Sequence, residues 1–443
     1  MNARERAEAL DRTLALMRDH VSDDASDERL LAELSGCRVV MVAVGSNASS
    51  RQGQVALITA ALLCARMGLQ VTISAENVAL VGMHAPLTGT HLVDALVDIG
   101  VDLIPGSTIS LCGAETRIDL CVLVGDTPDS HGTAAELVLR MYGDDWSGAL
   151  LPAHERGEGW ARIDAPFGAM AAGALVAGEA YRLVMRRLRD FTKVPIAVYD
   201  ATFAPSVNAV VRLAPDGTPC PAALGDFDFI SGGAITHASL YALSRIEGVT
   251  ARARVVEPTD YDMANLNRYA LMRRCDKGRG KAAHLAAMSL GCLHIESVAE
   301  RFDESLRREM QPLAPNLLVG VDHIPSRWLA QQACRGWLGC GATEHYTTVA
   351  SFHTSYTSCV ACLHHTDGGV DPRAATVSFV SFWSGLWLAA LYVRHVAGEQ
   401  LPLSQQAVFT MMLGSNCIWL GPVQRRTDCR LACAMMSPRP APW

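Results

Sequence analysis

Apolar residues along this chain fall into short unbroken runs that alternate with longer apolar-periodic stretches. Residues 38–45, Arg-Val-Val-Met-Val-Ala-Val-Gly, read as a strand buried on both faces and closing on glycine. A helix over about 54–67 follows, then a strand at Val71-Thr72-Ile73. Residues 121–126 form another buried strand, ending Gly-Asp, and Phe167 opens a long apolar helix running to Arg187. The second half repeats this order. Residues 228–233 are a strand ending in glycine, 239–245 a helix and 253–256 a strand. Residues 316–322 parallel the Gly-Asp strand, and 378–394 parallel the long helix. Strands alternating with helices predict an α/β chain with doubly wound parallel sheets. The repetition predicts two copies of one plan, and two unrelated α/β domains are the alternative.

The polar, Pro-containing stretch Ala214-Pro215-Asp216-Gly217-Thr218-Pro219 marks the boundary. The expected organisation is a helical segment over 1–36, a first domain over 37–214 and a second over 215–443.

At 443 residues the chain is too long for one ordinary core. Half of it is apolar and 19% is charged, which suits a well-buried globular protein rather than a disordered one. A net charge of -7 gives no reason to expect nucleic-acid binding. The apolar run 377–393 includes Ser381 and Ser384 among its serines and falls slightly short of a membrane span, so it reads as a core helix and no membrane association is expected. The polar N-terminus lacks the apolar core of a secretory signal, and fourteen cysteines, mostly inside apolar runs, suit a reducing compartment; the expected location is cytoplasmic.

Candidate chemistry concentrates in the second half. The strand over 253–256 leads into Glu257, and Asn265, Arg268 and Lys281 follow. A carboxylate at the end of a second strand accepts hydrogen bonds from ribose hydroxyls. Arg donates to phosphate through a planar fork, and Lys acts as a point charge. Ser231-Gly232-Gly233 sits where a strand hands over to a helix, a place where backbone N–H groups hold phosphate, although a plain strand–helix turn looks similar. Asp322 ends a buried strand with Arg327 five positions on; it suits Mg²⁺ binding or helix capping. Cys359 and Cys362 have zinc-ligand spacing, and Cys429 and Cys433 near the C-terminus complete four thiolates for structural Zn²⁺. Buried unmetallated thiols are the alternative, and His364 or His365 could replace one ligand.

Taken together, the Gly turn, strand-end acid, Asn-Leu-Asn-Arg, Gly-x-x-Lys, Asp-x₄-Arg and Cys-x-x-Cys resemble the ThiF/MoeB/HesA family, adenylating enzymes related to ubiquitin-activating enzymes. The resemblance covers about residues 226–433, and the run 164–172 looks like the late segment of the same fold. It implies two Rossmann-like domains forming a pseudo-dimer, the first a degenerate copy without a nucleotide site of its own. It implies that Gly232 and Gly233 approach the phosphates of ATP and that Glu257 takes the ribose-binding position, usually Asp. Asn265, Arg268 and Lys281 would hold the triphosphate, and Asp322 would bind Mg²⁺. An arginine reaching across from the other half is also implied; Arg51 is the candidate, with Arg4 and Arg6 as rivals.

The implied reaction is adenylation of the C-terminal carboxylate of a ubiquitin-like protein or peptide ending in a free Gly. Pyrophosphate is released, and thioester transfer to a conjugating enzyme can follow in a bacterial conjugation or defence pathway. Homodimerisation is open. Ser231 and Thr236 add bulk to the Gly turn. Residues 371–376 lack the cysteine that many relatives use for a thioester, leaving Cys340, Cys417 or the C-terminal pair. Activation of a peptide or sulfur-carrier protein is the alternative within the same chemistry. A nicotinamide-dependent oxidoreductase and a non-catalytic scaffold are alternatives from other classes.

Overall fold

The computed structural model describes residues 3–112, 117–129, 135–157, 160, 165–206, 208–288, 290–367, 374–399, 405–412 and 417–433. Two sheets organise them. The first contains β1 (Arg38–Ala43), β2 (Gln70–Ala75), β3 (Thr108–Leu111), β4 (Ile118–Val124), β5 (Ala135–Gly143), β6 (Ser147–Pro152) and β7 (Ala209–Arg212) in the order β3-β2-β1-β4-β5-β6-β7. The second contains β8 (Ala223–Ile230), β9 (Thr250–Val256), β10 (Cys292–Val298), β11 (Asn316–Val319), β12 (Trp337–Glu344), β13 (Thr347–His353), β14 (Gln406–Thr410) and β15 (Cys417–Gly421) in the order β10-β9-β8-β11-β12-β13-β14-β15.

Each sheet has five parallel strands and continues antiparallel. Both are mixed Rossmann-like sheets, and the chain reverses direction across each between its first and fourth strands. In such sheets ligands bind at that reversal, outside the carboxyl ends of the strands.

The long helices fall at Phe167–Arg187 and Ser378–Val396. They pack on each other and on the helices Arg51–Arg66 and Ala234–Leu243. Apolar side chains from both halves merge there into one core, which is why these helices are apolar all round. Close approach of backbones requires glycine at this layer. A Cβ on Gly385 would lie 2.4 Å from the Ala238 Cβ, and one on Gly173 would lie 2.8 Å from the Ala56 carbonyl oxygen. Among the described residues no helix is long and apolar enough to cross a membrane.

The helix after the Gly turn begins at Ala234, five residues before the expected start. Residues 235–243 are all buried, so the sequence there carries no amphipathic period to mark its beginning.

Candidate nucleotide site

The turn after β8 carries the local strain of the site. Ser231 has φ of 113°, a region that glycine normally occupies. Three hydrogen bonds hold it there. The Ser231 N–H donates to the Val256 carbonyl (3.0 Å), its Oγ accepts from the Gly233 N–H (2.9 Å), and its carbonyl accepts from Thr236 Oγ1 (2.7 Å). Thr236 is thus turned back onto the strand end and does not crowd the cleft. Gly233, in extended backbone, caps the helix Ala234–Leu243.

A cavity of about 380 Å³ opens at this turn. Gly233, Glu257, Arg268, Lys281 and Asp322 line it, together with Ser231, Tyr269 and Arg12. Five of the residues read from the sequence therefore converge, each from a different segment. A second cavity of about 240 Å³ adjoins it, bounded by Ile230, Val256, Phe302 and Val321. Glu257 borders both cavities, at the junction of a polar compartment and an apolar one.

The acid is held in place from three sides. Glu257 Oε2 accepts from the Gly232 N–H (2.8 Å), and Oε1 accepts from the Thr259 N–H (3.1 Å) and Oγ1 (2.5 Å). Lys281 Nζ donates to Thr259 Oγ1 at 2.7 Å, so lysine and acid share one hydroxyl. Gly232 does not line the cavity. A Cβ there would stand 2.9 Å from the Glu257 side chain, so the absence of a side chain serves the packing of the acid.

Arg268 is half-buried and donates to the Ala264 carbonyl and to Asn267 Oδ1 (2.9 Å). Burial lowers its pKa, opposed by the field of Tyr269, yet a guanidinium stays charged. Asn265 is buried outside the cavity, and its Oδ1 accepts from the Asp262 N–H (3.0 Å), closing the turn that aims Arg268. Asp322 is exposed, one step past Gly320 and Val321. Arg327 does not neutralise it. Its Nε donates to the Val321 carbonyl (2.7 Å) and its fork donates to His364 Nε2 (2.8 Å).

Arg51 does not reach this site. Its guanidinium pairs with Glu247 (2.8 Å) and donates to the Arg245 carbonyl, in a separate cleft between the halves. Arg12, on the helix Asp11–Arg18, lines the cavity instead. Its side chain donates to the Ala374 carbonyl at 3.4 Å, and its own carbonyl accepts from the Thr376 N–H at 3.2 Å. Packing of the N-terminal helices brings Arg12 here, and no local motif announces it.

Beneath the cleft lies a buried polar chain that the sequence does not reveal. The Leu271 N–H donates to His237 Nδ1 (3.3 Å), which leaves His237 Nε2 to donate to the Tyr261 hydroxyl (2.9 Å). Tyr261 then donates to His284 Nδ1 (3.1 Å), and His284 Nε2 meets Asp276 Oδ1 (3.2 Å). The network assigns one direction to every proton. Burial pushes both imidazoles below their ordinary pKa, His237 far below, so both are neutral as this chain requires. Tyr261→Phe leaves a buried donor and a buried acceptor unpaired, and is expected to cost about 1–3 kcal/mol in denaturant unfolding.

The corresponding crevice of the first sheet is filled. Trp160 Nε1 donates to Asn47 Oδ1 at 3.0 Å. Both side chains lie over Gly125, where a Cβ would meet them at 2.5 Å and 2.1 Å.

Cys359, Cys362, Cys429 and Cys433 converge in a buried group with all sulfurs within 4.8 Å of one another. Separations of 3.2, 3.3 and 3.8 Å suit a tetrahedron of thiolates on zinc, where Zn–S bonds of about 2.3 Å give S···S near 3.8 Å. The extra residue in the second pair is absorbed by Ala432, at φ 51°. His364 is no ligand here. Burial and Arg327 lower its pKa to about 3, and its Nε2 accepts from that arginine. Trp328, on the helix Ile324–Ala333, packs against the cluster, so the cysteines buttress the helix that follows Asp322. The other thiols proposed for chemistry divide: Cys340 is buried with its pKa raised by desolvation, whereas Cys417 is exposed at the start of β15. Of the segment without cysteine, residues 371–373 lie outside the described residues.

Comparison with known proteins gives partial matches. A family model described as the BilD N-terminal domain matches residues 38–194, which lie in the first half. The uncharacterized protein y4jF of Sinorhizobium fredii is 24% identical over 234 residues, covering 51% of this chain and 43% of its own length. The chain thus matches less than half of that relative. Among solved structures, E. coli MccB with ATP superposes at a TM-score of 0.40 and 13% identity, over 66% of this chain and 97% of MccB. MccB with AMPCPP and MccA gives 0.40 and 12% over 67% and 97%. PaaA gives 0.35 and 12% over 45% and 64%.

Proposed function

We propose that this chain activates the C-terminal carboxylate of a small protein or peptide as an acyl-adenylate, using ATP bound in its second half. The observation that carries the reading is the convergence of Glu257, Arg268, Lys281 and Asp322 on one cleft at the strand reversal. An adenine ring suits the apolar compartment beside Val256 and Phe302, the ribose hydroxyls meet Glu257 at the junction, and the phosphates extend past Gly233 toward Arg268 and Lys281. A carboxylate oxygen of the partner attacks the α-phosphorus, the bond from that phosphorus to the α,β-bridging oxygen breaks, and pyrophosphate leaves with the electron pair. The carboxylate is ionised at neutral pH, so no general base is required. Positioning and charge stabilisation by Arg268 and Lys281 carry the step. Asp322, exposed and not neutralised by Arg327, suits Mg²⁺, which would offset phosphate charge.

The plugged crevice over Gly125 supports a first half without a nucleotide of its own, hence one ATP per chain. The favoured partner is a ubiquitin-like protein ending in a free Gly. A conjugating enzyme downstream and a homodimer are further parts of this proposal. The four-cysteine cluster is proposed to hold structural zinc.

Partner-dependent ATP–pyrophosphate exchange tests the reading. Exchange is expected with a partner bearing a free C-terminal Gly and not with the same partner amidated. A folded, ATP-binding protein that never exchanges would remove the proposal. Arg12 takes the place of the arginine that crosses between halves. Arg12→Ala is expected to slow exchange about a hundredfold while ATP affinity, read by calorimetry, changes little.

A further inference from the structure

The loop that bears Arg268 is held by the other half of the chain. Arg66 ends the helix Arg51–Arg66 of the first half and is fully buried. Its guanidinium crosses into the second half and meets three main-chain carbonyls. One nitrogen donates to Leu266 (2.7 Å), the other to Ala270 (3.1 Å) and Met272 (2.6 Å). These carbonyls bracket Arg268 and Tyr269, which line the cleft. Arg66 makes no ion pair among the described residues. Burying a guanidinium with no ion pair in contact is costly, even with the Asp276 carboxylate supporting its charge from farther off, and simple core packing would be served by an apolar side chain of the same length. What arginine adds is a fork that fixes three carbonyls at once.

We propose that Arg66 is a positioning residue for this loop: through it, the first half sets the main chain that presents Arg268 to the nucleotide. This rests on the adenylation reading for the identity of the ligand, but the geometry of the loop stands apart from it. The first half then acts as a template whose last helical residue shapes the working site.

Hydrogen exchange on the full-length protein tests the proposal without any ligand. In Arg66→Met, amides over 262–281 are expected to exchange about tenfold faster, with those of β1 and β8 unchanged. ATP affinity should fall about tenfold or more, and Arg66→Lys should restore part of both effects. Unchanged exchange over 262–281, or a uniform rise across both sheets, would overturn the proposal. If Arg66→Met does not fold, Arg66→Lys decides, because lysine keeps the charge but loses the fork: faster loop exchange than wild type supports the role, and wild-type exchange rejects it. Should wild-type protein fail to bind ATP, the adenylation reading falls, while the exchange result still decides the role of Arg66.

Discussion

Arg268→Ala is expected to lower ATP–pyrophosphate exchange about a thousandfold while the protein stays folded. Three features give the size of the effect. The guanidinium is half-buried, where charge acts through a lower effective dielectric than in water. It is pre-oriented by the Ala264 carbonyl and Asn267 Oδ1, so no reorganisation is needed when phosphate charge shifts toward the leaving group. It also shares the cleft with Lys281 and Asp322. Removal of one preorganised donor costs about 10²–10³ in rate, and this one carries a full charge. Arg268→Lys should recover only part of the activity, because an ammonium cannot reproduce the fork. The guanidinium is only half-buried and makes two hydrogen bonds, so the thermal midpoint should move by a few degrees at most. Equal exchange by Arg268→Ala and wild type would place the triphosphate elsewhere.

The second large effect concerns the cysteine cluster. Cys359→Ser is expected to abolish the binding of one zinc per chain, read by elemental analysis, and to lower the thermal midpoint by about 10 °C. The four sulfurs join two segments 70 residues apart in the chain, Cys359 and Cys429. Trp328 and Val423 pack around them, and the apolar content of this cluster is small. Four thiols held this close without a metal gain little from packing, so the tail from Val423 to Cys433 would lose its anchor. Because the helix Ile324–Ala333 leans on the cluster, ATP affinity should weaken as well, through Asp322 at its entry. Wild-type protein that carries no zinc, or that keeps its thermal midpoint when a chelator removes the metal, would refute a structural zinc.

How much of this was legible follows from what each feature depends on. Buried parallel strands and the two long helices were readable because burial on every side writes continuous apolar runs, as in residues 38–43 and 167–187. Glu257, Arg268, Lys281 and Asp322 were readable because each sits at a fixed offset from such a strand end. The cysteine hook was readable from its spacing, whereas the longer second pair depends on Ala432 adopting the left-handed region, which spacing does not record. Three features were not accessible. Arg51 occupies the first half's turn in sequence, but Glu247 and the Arg245 carbonyl capture it. Arg12 and Arg66 owe their positions to packing between halves, which no local spacing records. The chain from His237 through Tyr261 and His284 to Asp276 joins residues distant in sequence, and each taken singly looks like an ordinary core residue.

The central claim is that a carboxylate attacks the α-phosphorus of ATP in the second-half cleft. A partner carrying heavy oxygen in its C-terminal carboxylate tests this most directly. After reaction with ATP and capture of the activated carbonyl by hydroxylamine, mass spectrometry locates the label. Adenylation transfers one carboxylate oxygen to phosphorus, so the label is predicted in AMP. Label in inorganic phosphate would mean attack on the γ-phosphorus, and label in neither product would mean that this cleft does not activate a carboxylate.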